Sequence, residues 1–356
     1  MSAPAPFTCS YSPNFAELLL QLNTSLAIST YQAGKVVMLS PKNKEELIQL
    51  PRTFHSPMGM ALHNNKLAIA TKSEVVVTIN NAELAKSYPK VPHTYDSLFL
   101  PTASYYTGHV DLHDLHYGTK GELYAVNTSF SCLTVIDDNF SFTPVWKPKF
   151  ITGFASEDRC HLNGLAMENG KPKYISALGA TDTVQGWRDN ITSGGIIIDL
   201  ASNEIIAQGL AMPHSPRVVK DKLYCLLSAA EKLVEINPVD GKVTEIAHIP
   251  GFVRGMTIVD DYAFIATSKL RQNSSTFKHL KIAQNADVAS IIAVHLPTGA
   301  QVGKLTYQAS VDEIYDIIAL PGLTRPNILN NLSPYHKQGL VTPQNSFWAM
   351  EEDVVV

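Results

Sequence analysis

The sequence predicts an all-β fold, a six-bladed β-propeller, and three observations carry that expectation. A short strand, a turn rich in Asn, Asp, Gly or Lys, and a β-branched strand recur about every fifty residues along the 356-residue chain. Each recurrence is followed by two further apolar stretches, so a unit holds four strands. Both chain ends carry fragments of one unit: EIYDIIALPG, Glu313 to Gly322, supplies a first strand, while SLAISTY, GKVVMLS and EELIQLP, between Ser25 and Pro51, supply a second, third and fourth. Pairing the two closes the ring and removes its open edges.

The units follow in order. MGMALHNNKLAIAT (Met58 to Thr71) continues into EVVVTIN, and HDLHYGTKGELYAVNT (His113 to Thr128) into CLTVIDD and FTPVWKPKF. HLNGLAMENGKPKYISALG (His161 to Gly179) is followed by GGIIIDL and EIIAQGL, and HSPRVVKDKLYCLLS (His214 to Ser228) by KLVEINPVDGKVTEIAHI. RGMTIVDDYAFIATS, from Arg254, resumes after an insertion at 269–288 with SIIAVHLPTGAQVGKLTYQ. Taking His55, His113, His161, His214, Arg254 and Glu313 as unit starts, the steps are 58, 48, 53, 40 and 59 residues, the spacing of propeller blades. The expected organisation is an N-terminal extension over 1–24, a single propeller over 25–322 and a C-terminal tail over 323–356. Helical spacing occurs in FAELLLQL (Phe15 to Leu22), which is expected to pack outside the ring.

Composition narrows the function classes. With 28 Lys and Arg against 32 Asp and Glu, the net charge of −4 offers no basic footprint for nucleic acid or an anionic membrane. No apolar run approaches the ~20 residues needed to span a bilayer, and MSAPAPFTCSYSPNF has neither the basic start nor the apolar centre of a signal peptide. The expected address is the cytoplasm. Cys9, Cys132, Cys160 and Cys225 form no CxxC pair and read as reduced thiols, filling space rather than acting as nucleophiles.

In such a ring the loops entering each innermost strand, and those joining second to third strands, emerge on one face around the axis. The entry loops carry His55, His109, His113, His116, His161, His214, Arg217 and Arg254; the second set carries Tyr31, Lys35, Asp182, Trp187 and Arg188. Imidazoles aimed at one axis from separate blades suit zinc, copper or iron, so His55, His113, His161 and His214 are the candidate metal ligands. Their registers differ: His55 stands four residues, and His161 three, before the Gly of its inner strand, whereas His113 immediately precedes the equivalent Asp114. Glu313 and Tyr315 from the closing unit are the candidate catalytic, proton-moving groups. Tyr31, Lys35, Asp182, Trp187, Arg188, Arg217 and Arg254 are the candidate substrate-binding residues, an aromatic face with guanidinium groups suiting a carboxylate-bearing or peptide ligand. Lys35, Lys269 and Arg271 add positive charge to the face. Asn163, with Glu313, offers calcium an alternative oxygen site.

STYQAGK (Ser29 to Lys35), HDLH (His113 to His116), NTSFSCL (Asn127 to Leu133), EDRCHLNGLA (Glu157 to Ala166), GWR, MPHSPR and GFVRG together resemble a conserved hypothetical bacterial family of single-domain proteins of about this length, without an assigned activity. The resemblance spans nearly the whole chain and implies one domain with a shared site on the loop face. NGLAMENGKPKYISALG is also similar to one blade of the gluconolactonase and regucalcin lactonases. Three functions follow as expectations. The first is a metal-dependent lyase, hydrolase or oxidase acting on a small polar, anionic or peptide substrate. The others are a calcium-dependent lactonase-like hydrolase, and a non-catalytic propeller that recognises a peptide or protein.

Overall fold

The computed structural model describes residues 4–349 apart from 271–276, 278, 279 and 285, so Arg271 and part of the 269–288 insertion lie outside the described residues. Six four-stranded antiparallel units surround an axis, and the ring closes by the pairing the sequence implies. Asp316–Pro321 runs antiparallel to Thr24–Thr30, from Ser29↔Asp316 to Thr24↔Pro321, and Lys35–Pro41 and Leu47–Thr53 complete this closing blade, blade 1. Blades 2 to 6 begin with the inner strands Met60–His63, Leu112–Tyr117, Leu162–Glu168, Pro213–Val219 and Phe252–Val259.

Local chemistry explains the inner hairpins. Tight two-residue connections require backbone in the left-handed region, which Asn, Asp and Gly reach at least cost. Asn169 (φ 50°) and Gly170 (φ 69°) turn the chain in blade 4, Lys220 (φ 50°) and Asp221 (φ 61°) in blade 5. Apolar faces of neighbouring blades then interlock. Between blades 5 and 6, for example, Leu226 and Leu233 pack with Met256, Ile265 and Ile292.

Segments flanking the ring cover outer edges. Cys9–Tyr11 adds a fifth strand to blade 6, and Pro326–Ile328 adds one, in parallel, to the outer strand Ser97–Tyr106 of blade 2. The helical spacing corresponds to a helix over Pro13–Gln21, with Pro at its first turn and Phe15, Ala16, Leu18 and Leu19 buried. Phe15 sits among Leu26, Val37 and Leu39 of blade 1 and Phe264 and Leu305 of blade 6. The helix therefore lies over the seam where the ring closes.

At the axis the inner strands approach too closely for ordinary side chains on every blade. A Cβ at Gly59 would stand 2.8 Å from the Asp114 Cα, and one at Gly255 would stand 2.9 Å from the Asp316 Cα. Gly164 faces Pro216 in the same way. Along the six blades this level reads Gly59, Asp114, Gly164, Pro216, Gly255, Asp316, so glycine alternates with a larger residue. The two aspartates do equivalent work: Asp114 accepts the Leu165 amide of the next blade at 3.0 Å, and Asp316 accepts the Met60 amide of the next blade at 2.9 Å.

Candidate functional site at the axial mouth

The entry ends of the inner strands enclose a cavity of about 20 Å³, the room of about one water, lined by His113, Asp114, Asn163, His214, Ser215, Arg254, Tyr315 and Asp316. The register offsets among the histidines are taken up by left-handed residues beside them: Asp111 (φ 50°), Asp158 (φ 48°), His161 itself (φ 52°), Met212 (φ 57°) and Ser215 (φ 45°). These bends bring the His113 and His161 rings to 5.0 Å between centroids, nearly perpendicular, while His113 lies 5.6 Å from the Tyr315 ring. His55 does not join them; it is exposed and borders a separate pocket between blades 1 and 2.

Hydrogen bonds assign the tautomer of each axial imidazole. A carbonyl oxygen can only accept, so Nδ1 of His113, 3.1 Å from the Asp111 carbonyl, carries the proton. Nδ1 of His214 donates likewise to the Met212 carbonyl at 3.0 Å, and the Ser228 hydroxyl, whose own proton goes to the Val253 carbonyl, stands 2.8 Å from the same nitrogen. Nδ1 of His161 lies 2.9 and 3.0 Å from the two carboxyl oxygens of Asp158. His113 and His214 are left with an Nε2 lone pair, as His161 is in its neutral form. Burial lowers the pKa of His113 well below its ordinary value, helped by His161 and the Arg254 charge nearby, and it brings His214 down to about 3.

Asp158 does more than hold His161. It also accepts the indole N–H of Trp187 at 3.0 Å, and that indole lies 4.3 Å from the His161 ring between centroids, with the Arg188 guanidinium 4.7 Å from the indole centre. Trp187 is only 3% exposed, so it forms a wall that fixes the imidazole rather than a free face for a ligand. This corrects the expectation of Trp187 as an exposed recognition aromatic: the short 3-10 helix Gly186–Asn190 turns it inward. Asp182 is likewise committed, accepting Thr152 and pairing with Arg159 Nη1 at 2.7 Å, while Arg159 also binds Glu157.

On the far side of the cavity Arg254 pairs with Glu313 at 2.6 Å and stacks 3.9 Å over the Tyr315 ring. Tyr31 stacks on Tyr315 in turn, at 6.1 Å between centroids, and accepts a hydrogen bond from Lys72. Lys35 reaches Thr53 beside the blade 1–2 pocket rather than the axis. Two buried polar atoms of the cavity have no hydrogen-bond partner among the described residues, the Asn163 Nδ2 and the Tyr315 hydroxyl, whose residues are 4% and 6% exposed. Leaving such atoms bare is costly, and a bound polar ligand or water would satisfy them.

Arg217 belongs to the floor rather than the mouth. It binds Asp114 at 3.0 Å and the Leu165, Pro216 and Met256 carbonyls, and it borders a second cavity at the exit ends of the strands with His116 and Tyr117. Its expected substrate-binding role gives way to that buried pairing. Burial alone would raise the Asp114 carboxyl, but Arg217 and His116 outweigh it and hold Asp114 well below the carboxylate range. Burial, with Asp114 nearby, pushes Asp316 above that range.

Among the described residues no set of three or more His, Cys, Asp or Glu side chains is arranged around a point where a metal ion would sit. Of the oxygens that calcium would use, Asn163 Oδ1 accepts the Ser176 hydroxyl and Glu313 Oε1 accepts Arg254. The four cysteines are free, and burial pushes the thiols of Cys132, Cys160 and Cys225 up to about 12, which suits fillers rather than nucleophiles. Among the described residues no helix is long and apolar enough to cross a membrane.

Sequence reasoning left Asp158, with Glu157 and Arg159, open between an ion-paired rim and a functional role, and it missed Asp114 and Asp316. The signals were present: Asp158 stands three residues before His161, and the two axial aspartates occupy the level held by glycine in three other blades.

Comparison with solved structures supports the fold alone. A chain of a nidogen–laminin complex matches at TM-score 0.51 and 12% identity over 84% of this chain and 99% of its own. A protein of unknown function from Bacteroides caccae matches at 0.51 and 9% over 83% and 98%. A virginiamycin B lyase from Staphylococcus aureus, catalytically inactive and with quinupristin, matches at 0.41 and 12% over 84% and 99%. No curated protein matches. Residues 13–329 match the family model of a domain of unknown function, and the chain therefore belongs to the DUF4915 family.

Proposed function

We propose that the protein is an enzyme of lyase or hydrolase type that performs acid–base chemistry on a small carboxylate-bearing substrate at the axial mouth. The observation that carries this reading is the Asp158–His161 pair. Asp158 fixes the Nδ1–H tautomer and Trp187 fixes the ring, so the Nε2 lone pair is preset to take a proton from a substrate carbon or an attacking water. Arg254, steadied by Glu313 and by stacking on Tyr315, has further N–H donors for a carboxylate. The unpartnered Asn163 amide and Tyr315 hydroxyl supply further polar contacts in the adjoining cavity. The test is a turnover screen over carboxylate-bearing lactones, esters and β-substituted acids. For any substrate found, His161→Ala is expected to lower kcat by about 10²–10⁴-fold, and Asp158→Asn comparably. Arg254→Gln is expected to act mainly on KM. Full activity in His161→Ala would sink the proposal.

A second reading adds a divalent zinc, copper or iron ion, favoured by the three axial imidazoles, each with Nδ1 committed and Nε2 left as a lone pair. The 5.0 Å between the His113 and His161 centroids is close to the roughly 5 Å expected for two imidazoles on one tetrahedral ion, and His214 would have to close on that pair. Elemental analysis of protein purified without a His-tag decides it: stoichiometric metal, lost in His113→Ala, supports the metal, and its absence after anaerobic reconstitution rejects it.

A further inference from the structure

The outer strand of blade 2 presents an edge that is only half covered. Ser97–Phe99 pairs with Pro326–Ile328, and the Leu329 amide still reaches the Phe99 carbonyl, but the chain then turns away through Asn330, whose side chain binds the Thr53 carbonyl. From Leu100 to Tyr106 the outer edge has no strand partner among the described residues. Thr102, Ala103 and Ser104 are exposed, Tyr106 is 78% exposed, and, although Pro101 and a bulge at Thr102 interrupt the strand, no Lys or other charged side chain stands between Thr102 and Tyr106.

Beside this edge lies a pocket of about 800 Å³, separate from the axial site. Ser104 and Tyr106 line it together with their cross-strand neighbours Val76 and Glu74, so the pocket lies over the face of blade 2 that looks towards blade 1, and Pro101, Thr102 and Ala103 carry it out to the strand's edge. The opposite wall is blade 1, through the loop from Tyr31 to Gly34 and the segment from Thr53 to Ser56, and the Asn331–Leu332 segment bounds it as well. Phe54, Val76, Ala103 and Leu332 make the lining apolar in part, while no Lys or Arg lines it and its one carboxylate, Glu74, is bonded to Ser104.

We infer that an extended peptide docks here by strand addition to Thr102–Tyr106, continuing the row that Pro326–Ile328 begins, with an uncharged apolar side chain held in the pocket between blades 1 and 2. Main-chain hydrogen bonds to the edge supply affinity, and the pocket supplies selectivity for alternate residues. The protein's own tail shows that this edge accepts an added strand.

The probe is a phage-displayed library of random heptapeptides selected against the full chain, followed by titration of synthetic winners. Convergence on a central apolar residue is expected. Two further results are expected of the winners: N-methylation that abolishes binding at every second peptide amide, and at least a tenfold loss on Tyr106→Ala or Ala103→Trp with unchanged thermal melting. No enrichment overturns the inference. So does binding indifferent to N-methylation or to both variants, and so does self-association of the protein that Ala103→Trp abolishes, which would make a second copy the occupant.

Discussion

At the level of single residues, the axis is governed by charge placed where water is scarce. His113 and His214 are held neutral, so the unfolded chain binds protons before the folded one as pH falls below about 6.5, and stability is lost in that direction. Asp316 acts in the opposite sense, since its raised pKa makes the folded state hold a proton that the unfolded chain has released above about pH 4. Two imidazoles against one carboxyl leave stability falling as the solution is acidified from pH 6.5 towards 4. Asp316→Asn removes the opposing group, so its urea-unfolding free energy should fall more steeply, by about 1.4 kcal/mol per pH unit relative to the natural protein. Its absolute stability should also drop, because an amide cannot accept both the Met60 and Ile317 N–H groups. Equal pH slopes for the two proteins would refute this account of the axis. Gly59→Ala and Gly255→Ala test the neighbouring contacts: a Cβ under 3 Å from backbone forces the blades apart, and a loss of about 1–3 kcal/mol is expected in denaturant titrations.

At the level of elements, the helix Pro13–Gln21 and the loop holding Trp187 show where sequence patterning is informative. The helical spacing was legible because Phe15, Leu18 and Leu19 recur on one face. That Phe15 would bridge the first and last blades was not legible, because the two blades meet only after the ring closes. Phe15→Ala should cost about 3–5 kcal/mol, read as a lower urea midpoint, through the cavity it leaves at that seam. Trp187 is the converse case. Its place in a long loop suggested a ligand-facing aromatic, yet its indole N–H has a buried partner in Asp158, and a Trp with a satisfied N–H loses nothing by turning inward.

At the level of the whole molecule, closure couples the two termini. The inner strand of blade 1 comes from Asp316–Pro321 and its other three strands from the first 53 residues, so neither terminus can complete the blade alone. Deleting residues 313–356 should abolish the cooperative thermal transition followed by circular dichroism, because the cut exposes the inner edge of Thr24–Thr30 around the axis. A variant lacking only residues 1–12 removes the added strand on blade 6 and leaves the ring closed; it should melt cooperatively at a lower temperature.

Alternating apolar strands, Asn- and Gly-containing turns and complementary fragments at the two ends were enough to specify six blades and the way they close, since those features act between residues near in sequence or through the strict two-residue period of a strand. The partners of each histidine were decided in three dimensions. Left-handed residues at Asp111, Asp158, Met212 and Ser215 redirect the entry loops by amounts no period records, bringing His113, His161 and His214 to the axis while His55 stays in the side pocket. Register can be counted along a strand, but the direction of a side chain leaving a bent loop depends on the neighbouring blades that hold it.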